Sequence, residues 1–156
     1  MDWRTGAIQD LETNYLLNVP YHHKDMRIKY TSIFVDDQHK ALKFYTEILG
    51  FVKKADIKAN NYWWLTVISP EDQDGVVLVL EPNENPAAKA YQEAIFKQGI
   101  SVNMFFVDDV QKEYERLKKL GVSFTKEPTK LPGIGTTIAI LDDTCGNLVQ
   151  ITKLNS

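Results

Sequence analysis

Apolar and polar positions follow one order along this chain, and that order occurs twice. Residues 28–36 are rich in β-branched and aromatic types and predict a strand. Residues 38–49 place Ala41, Leu42, Tyr45, Ile48 and Leu49 at helical spacing, and Gly50 closes that helix. Three further strands are predicted over 51–57, 61–69 and 76–82, with turn chemistry at Ser69-Pro70-Glu71-Asp72 and Asp74-Gly75. The second half repeats this as a strand over 100–107, a helix over 109–120, and strands near 122–126, 134–141 and 147–153. The shared unit is βαβββ. The fold class it predicts is α+β: two tandem modules whose strands make a curved, cup-shaped mixed sheet with the helices outside.

The landmarks of the repeat are specific. Val35-Asp36-Asp37 matches Val107-Asp108-Asp109 at an offset of 72, and Gly50 matches Gly121 at 71. Thr66 with Thr137, Gly75 with Gly146, and Val79 with Gln150 hold the offset of 71. A fixed internal period settles architecture before any local detail does. Module one is assigned to 26–86, a linker with a helix over 87–98 follows, and module two covers 99–153. Residues 1–25 lie outside the repeat and read either as a short amphipathic helix or as a disordered extension. Met26 opens the first repeat and is a second candidate start.

Alternation along strands divides the residues between two faces. Tyr30, Ser32 and Phe34 share one face of the first strand, opposite Thr31, Ile33 and Val35. Val77, Val79 and Glu81 share a face of the fourth strand. The matching strands of module two give Val102, Met104 and Phe106, then Leu148, Gln150 and Thr152. Each helix covers one face only, so the other packs as core or lines a cleft between modules. Trp64, Thr66, Thr137 and Ala139, the more polar set, are assigned to the cleft by the repeat.

The balance of 18 basic and 21 acidic residues, with no basic block, argues against nucleic acid as a partner. No apolar run approaches the ~20 residues that span a bilayer, and the N-terminus lacks the apolar stretch of a secretory signal. The lone Cys145 has no intramolecular disulfide partner, so the cytoplasm is the expected compartment.

Ile33-Phe34-Val35-Asp36-Asp37, Ala41-Leu42-Lys43-Phe44-Tyr45 and Ile48-Leu49-Gly50-Phe51 carry a family resemblance. So do Phe106-Val107-Asp108-Asp109, Leu120-Gly121-Val122 and Asp142-Asp143-Thr144-Cys145-Gly146-Asn147. Over roughly residues 26–153 the chain resembles the vicinal oxygen chelate superfamily: glyoxalase I, the bleomycin-resistance proteins and the extradiol dioxygenases. The resemblance implies a ligand cup between modules and frequent dimers. It also implies a divalent metal held by His, Glu or Gln at positions that fall here on Tyr30, Val79, Val102 and Gln150. Two valines offer no lone pair, and tyrosine and glutamine are poor neutral ligands, so no metal is predicted.

Other candidates are few. His39 opens the first helix and is expected to be solvated, and His22-His23 read as surface residues rather than a chelate. Glu81 can serve as a general base or an anchor for a cation, or stand as a rim carboxylate facing water. Cys145 lies among acidic residues that raise a thiol pKa, and reads as a bystander. The ligand-binding residues expected are Tyr30, Ser32, Phe34, Trp64, Val79, Glu81, Val102, Met104, Phe106 and Gln150. Together they suit a binding protein for a small, partly apolar or aromatic molecule, acting as a homodimer without a metal. The alternative is an enzyme, a glyoxalase-like lyase or dioxygenase, using an unusual divalent-metal set or Glu81 as acid and base. A third reading is a cup filled by its own side chains, acting through a protein interface.

Overall fold

The computed structural model describes residues 26–153. The expectations for residues 1–25, His22 and His23 included, lie outside the described residues. Module one opens with β1 (Tyr30–Val35), then α1 (Gln38–Lys43), which runs on as a π-helical turn over Phe44–Ile48. Strands β2 (Val52–Ala59), β3 (Tyr62–Ile68) and β4 (Val77–Pro82) complete it. Helix α2 (Pro86–Lys97) links the modules. Module two is β5 (Ser101–Phe106), α3 (Val110–Lys119), β6 (Phe124–Lys130), β7 (Thr137–Asp142) and β8 (Leu148–Lys153).

The helix starts follow from capping chemistry. Asp37 accepts from the backbone N–H groups of His39 and Lys40, each at 2.9 Å, and Asp109 accepts from that of Lys112 at 3.0 Å. Asn85 caps α2, with Pro86 at the first helical position, where its missing N–H costs nothing. Gly50 and Gly121 end their helices at φ +84° and +85°, the left-handed region.

The strands form two four-stranded sheets, β1-β4-β3-β2 and β5-β8-β7-β6. In each, the first strand pairs parallel with the fourth and the other neighbours are antiparallel. The helix-covered faces share one core. Ile33, Val35, Ala41, Tyr45, Leu65 and Leu80 of module one meet Val110, Leu117, Leu141, Val149 and Ile151 of module two.

Register corrects one expectation. Val79 faces Thr66, and Gln150 faces Ile140. Thr66 therefore corresponds to Ile140, 74 positions on, rather than to Thr137. The β7–β8 turn is three residues shorter than the β3–β4 loop, which shifts β7 but leaves β8 at its offset of 71. Thr137 and Ala139 thus share the face of Val149 and Ile151, while Ile138 and Ile140 lie on the face of Gln150.

Candidate functional site

Six of the expected ligand-binding residues share one face of the first sheet. The β1–β4 pairing sets Ser32 beside Val79 and Phe34 beside Glu81, and Thr66 adjoins Val79 from β3. Tyr30 meets Trp64 at 5.8 Å between ring centroids. Phe34, Trp64, Val79 and Glu81 of this face line a cleft of about 940 Å³, to which α2 contributes Ala88 and Tyr91. Ser32 and Phe34 reach Val102 across a smaller cavity of about 140 Å³ that Gln92 and Asn147 also line. A bulge in β5 between Ser101 and Asn103 takes Val102 out of simple register with Met104.

Met104, Phe106 and Gln150 sit on the second sheet. Met104 pairs with Gln150 and Phe106 with Thr152, on the face that carries Ile138 and Ile140. Phe106 lines a separate cleft of about 570 Å³ between the start of β2 and the ends of β5 and β8. Tyr30, Trp64, Met104 and Phe106 are 57%, 42%, 51% and 59% exposed, high values for large apolar side chains.

The four positions where the family places metal ligands do not form a donor set. Val79 is buried between Ser32 and Thr66, Val102 faces the small cavity, and Tyr30 and Gln150 stand on different sheets. No group of three His, Cys, Asp or Glu side chains able to hold a metal ion occurs among the described residues. One phenol, one carboxamide and two valines supply neither imidazole nor carboxylate, a poor donor set for a divalent cation.

The remaining candidates have structural places. His39 is exposed, as a solvated helix-start residue should be, and packs edge-on against Trp63, 5.0 Å between centroids. Cys145 is fully buried, and its thiol is pushed up to about 12, first by burial and then by the Asp143 carboxylate. The sequence reading had the direction of that shift but assigned it to charge alone.

Several residues at the junction were not singled out from sequence. Gln92, buried on α2, donates through Nε2 toward the backbone carbonyls of Phe34 (2.8 Å) and Cys145 (3.1 Å) and the side-chain oxygen of Asn147 (3.0 Å). Its own oxygen accepts from Asn83 at 2.7 Å. Asn147 Nδ2 donates to the Phe34 carbonyl and to Asp143 Oδ2, both at 2.8 Å. Gln38 is the other omission. Its Nε2 donates to the carbonyls of Trp63 at 2.9 Å and Leu80 at 2.7 Å, and it lines the 940 Å³ cleft. A lone polar residue at a helix start or on a helix face carries no sequence pattern that marks such a role.

The two βαβββ modules, with parallel first and fourth strands and helix-covered faces, define the class of fold. Residues 27–151 match the model of the Glyoxalase/Bleomycin resistance protein/Dioxygenase superfamily, and the chain belongs to that superfamily. It is 59% identical over 128 residues to the uncharacterized protein YurT of Bacillus subtilis (strain 168), covering 82% of this chain and 99% of that one. Among solved structures it resembles UcmS2, with a TM-score of 0.70 and 33% identity over 81% of this chain and 97% of that one. It also resembles TnmS3, an antibiotic binding protein from Streptomyces sp. CB03234, with a TM-score of 0.65 and 26% identity over 86% and 100% of the two chains. No described helix is long and apolar enough to cross a membrane.

Proposed function

We propose that this protein binds a small, partly aromatic molecule in the module-one cleft, without metal-assisted chemistry. The observation that carries this reading is the cleft itself, about 940 Å³ and lined by Phe34, Tyr62, Trp63, Trp64 and Tyr91 with few polar groups. Large concave sites of mixed aromatic and polar lining are where small ligands bury most of their surface. Likeness to an antibiotic binding protein adds support by analogy. So does the donor set at Tyr30, Val79, Val102 and Gln150, which is unsuited to a metal.

A homodimer belongs to the same proposal. Met104 and Phe106 present an apolar, half-exposed face on the second sheet, and a second copy of the chain is the partner assigned to it. A catalytic reading has one observation in its favour, the position of Glu81 in the cleft. Among the described residues, no His, Lys or Arg lines that cleft to share proton transfer with it.

Native mass spectrometry of protein isolated without chelators or a histidine tag tests the proposal. A metal-free dimer carrying an organic adduct is the expected result. Stoichiometric metal would overturn it and return the enzyme reading to first place.

A further inference from the structure

The lining of the module-one cleft says which molecules it selects, given the binding reading above, on which this inference rests. The cleft opens where the sheet divides. In module two, β7 and β8 pair over six consecutive positions, from Thr137 with Lys153 to Asp142 with Leu148. In module one, β3 and β4 pair only at Val67 with Leu78 and Thr66 with Val79. Continuing that register would bring Trp63 opposite Pro82, which has no N–H with which to extend a ladder. Gln38 occupies the fork, donating to one carbonyl on each strand. Its counterpart at the start of α3 is Val110, buried in the core beneath strands that stay closed.

The walls of the fork are aromatic, and the lining side chains charged at neutral pH, among the described residues, are Glu81 and Glu84. Among the described residues, no lysine, arginine or histidine lines the cleft. Aromatic faces carry negative quadrupole potential and attract a cation within about 6 Å of the ring centroid. Lys58 Nζ already lies 5.7 Å from the centroid of Trp63, so the rings left open to a cation are Trp64 and the tyrosines. Two carboxylates, Glu81 half-buried and Glu84 exposed, add attraction of the same sign.

We infer that this cleft selects a flat aromatic molecule bearing a positive charge over its neutral isostere. The ring system stacks between Trp64 and the tyrosines, and the cationic group lies toward Glu81 and Glu84. Gln38 satisfies the two strand carbonyls that the fork, kept open by Pro82, leaves without ladder partners.

The test uses the full chain and two dyes of one ring system, titrated calorimetrically at about pH 7.5. Acridine is neutral there, and 9-aminoacridine is a cation. The cation is expected to bind about tenfold tighter or more. Replacing both acids, Glu81→Gln with Glu84→Gln, should bring the two dyes to similar affinity. An unchanged far-UV circular dichroism spectrum reports that the variant is folded. In the wild type, raising the salt concentration should narrow the preference, because charge attraction at a half-open site is screened. Equal affinity of the two dyes in the wild type would overturn the charge selection and leave small-molecule binding standing. A preference that survives the double substitution, or that ignores salt, would place the cation elsewhere and overturn it too. Failure of both dyes to bind would overturn the binding reading of this cleft itself.

Discussion

The Tyr45 hydroxyl donates to Asp143 Oδ2 at 3.0 Å, joining the π-helical turn of module one to the β7–β8 turn of module two across 98 positions of chain. Both side chains are fully buried. Asp143 also accepts from the backbone N–H groups of Cys145 (2.7 Å) and Asn147 (2.9 Å), so its carboxylate gathers the seam between the modules.

Tyr45→Phe removes one hydrogen bond to a buried charge and should cost about 1.5–3 kcal/mol of stability. It should also change the pH dependence. Burial raises the Asp143 carboxyl above the usual aspartate range, against hydrogen bonds from Asn147, Cys145 and Tyr45 that lower it. The folded chain therefore holds this proton to higher pH than the unfolded chain. The resulting stability is fully present below the unfolded pKa and is lost as pH rises through the folded one. Without the Tyr45 hydroxyl the folded pKa rises further, so the loss should extend to higher pH. Urea midpoints of both proteins across the acid-to-neutral range check this, and superimposable profiles would refute it.

Thr144 is exposed and sits at φ 61°, a left-handed conformation that β-branched residues rarely adopt. Its N–H is held by Asp142 Oδ1 at 2.7 Å, a bond the backbone keeps whatever the side chain. Thr144→Asn should relieve on the order of 1 kcal/mol of strain and raise Tm by roughly 2–4 °C. A lower Tm in calorimetry would count against the strain.

Gly50 and Gly146 both have positive φ, at +84° and +97°, yet alanine should affect them unequally. A Cβ on Gly50 meets nothing within 4 Å, whereas one on Gly146 falls 2.8 Å from Gln92 Nε2. Gly50→Ala should cost only the backbone penalty of about 1–2 kcal/mol. Gly146→Ala should cost at least about 1 kcal/mol more, since it displaces an amide held by several buried partners. Denaturant titrations giving equal losses would argue against Gln92 as a fixed wall.

Gln38→Val copies the residue that begins α3. Because Pro82 offers no N–H, the fork should fail to close, leaving the Trp63 and Leu80 carbonyls without their donor. A loss of about 1–3 kcal/mol is expected, with faster amide hydrogen exchange in β3 and β4 and exchange in β7 and β8 unchanged. Slower exchange in β3 and β4 would show instead that Gln38 alone keeps the strands apart.

The Cys145 thiol, buried and raised to about 12, should resist Ellman's reagent in the native protein and react once per chain in denaturant. Rapid native labelling would mean that the turn opens readily.

The order of elements was legible because apolar runs, caps and glycines punctuate both halves alike. The offset of β7 was not. Leu65 to Ile68 and Ile138 to Leu141 are buried on both faces, so neither run shows the alternation that fixes register. Of the expected site residues, Phe34, Trp64, Val79 and Glu81 gather in one cleft because strand alternation is strictly local. Met104 and Gln150 stand on the other sheet, and a single sequence does not say how the two sheets meet. Gln38 and Gln92 escaped notice because their partners are mostly backbone carbonyls, which every residue type carries.

The junction also bears on the order of folding. Asn147 reaches the Phe34 carbonyl across 113 positions, and Gln92 reaches Phe34 and Asn147 across 58 and 55. Contacts so distant in sequence form only after long loops have closed, and closure of that kind slows folding. Each half can gather its own strands early, while the clasp at Gln92 waits for both. Kinetically, then, the chain should behave as two quick local collapses followed by one slower act of docking.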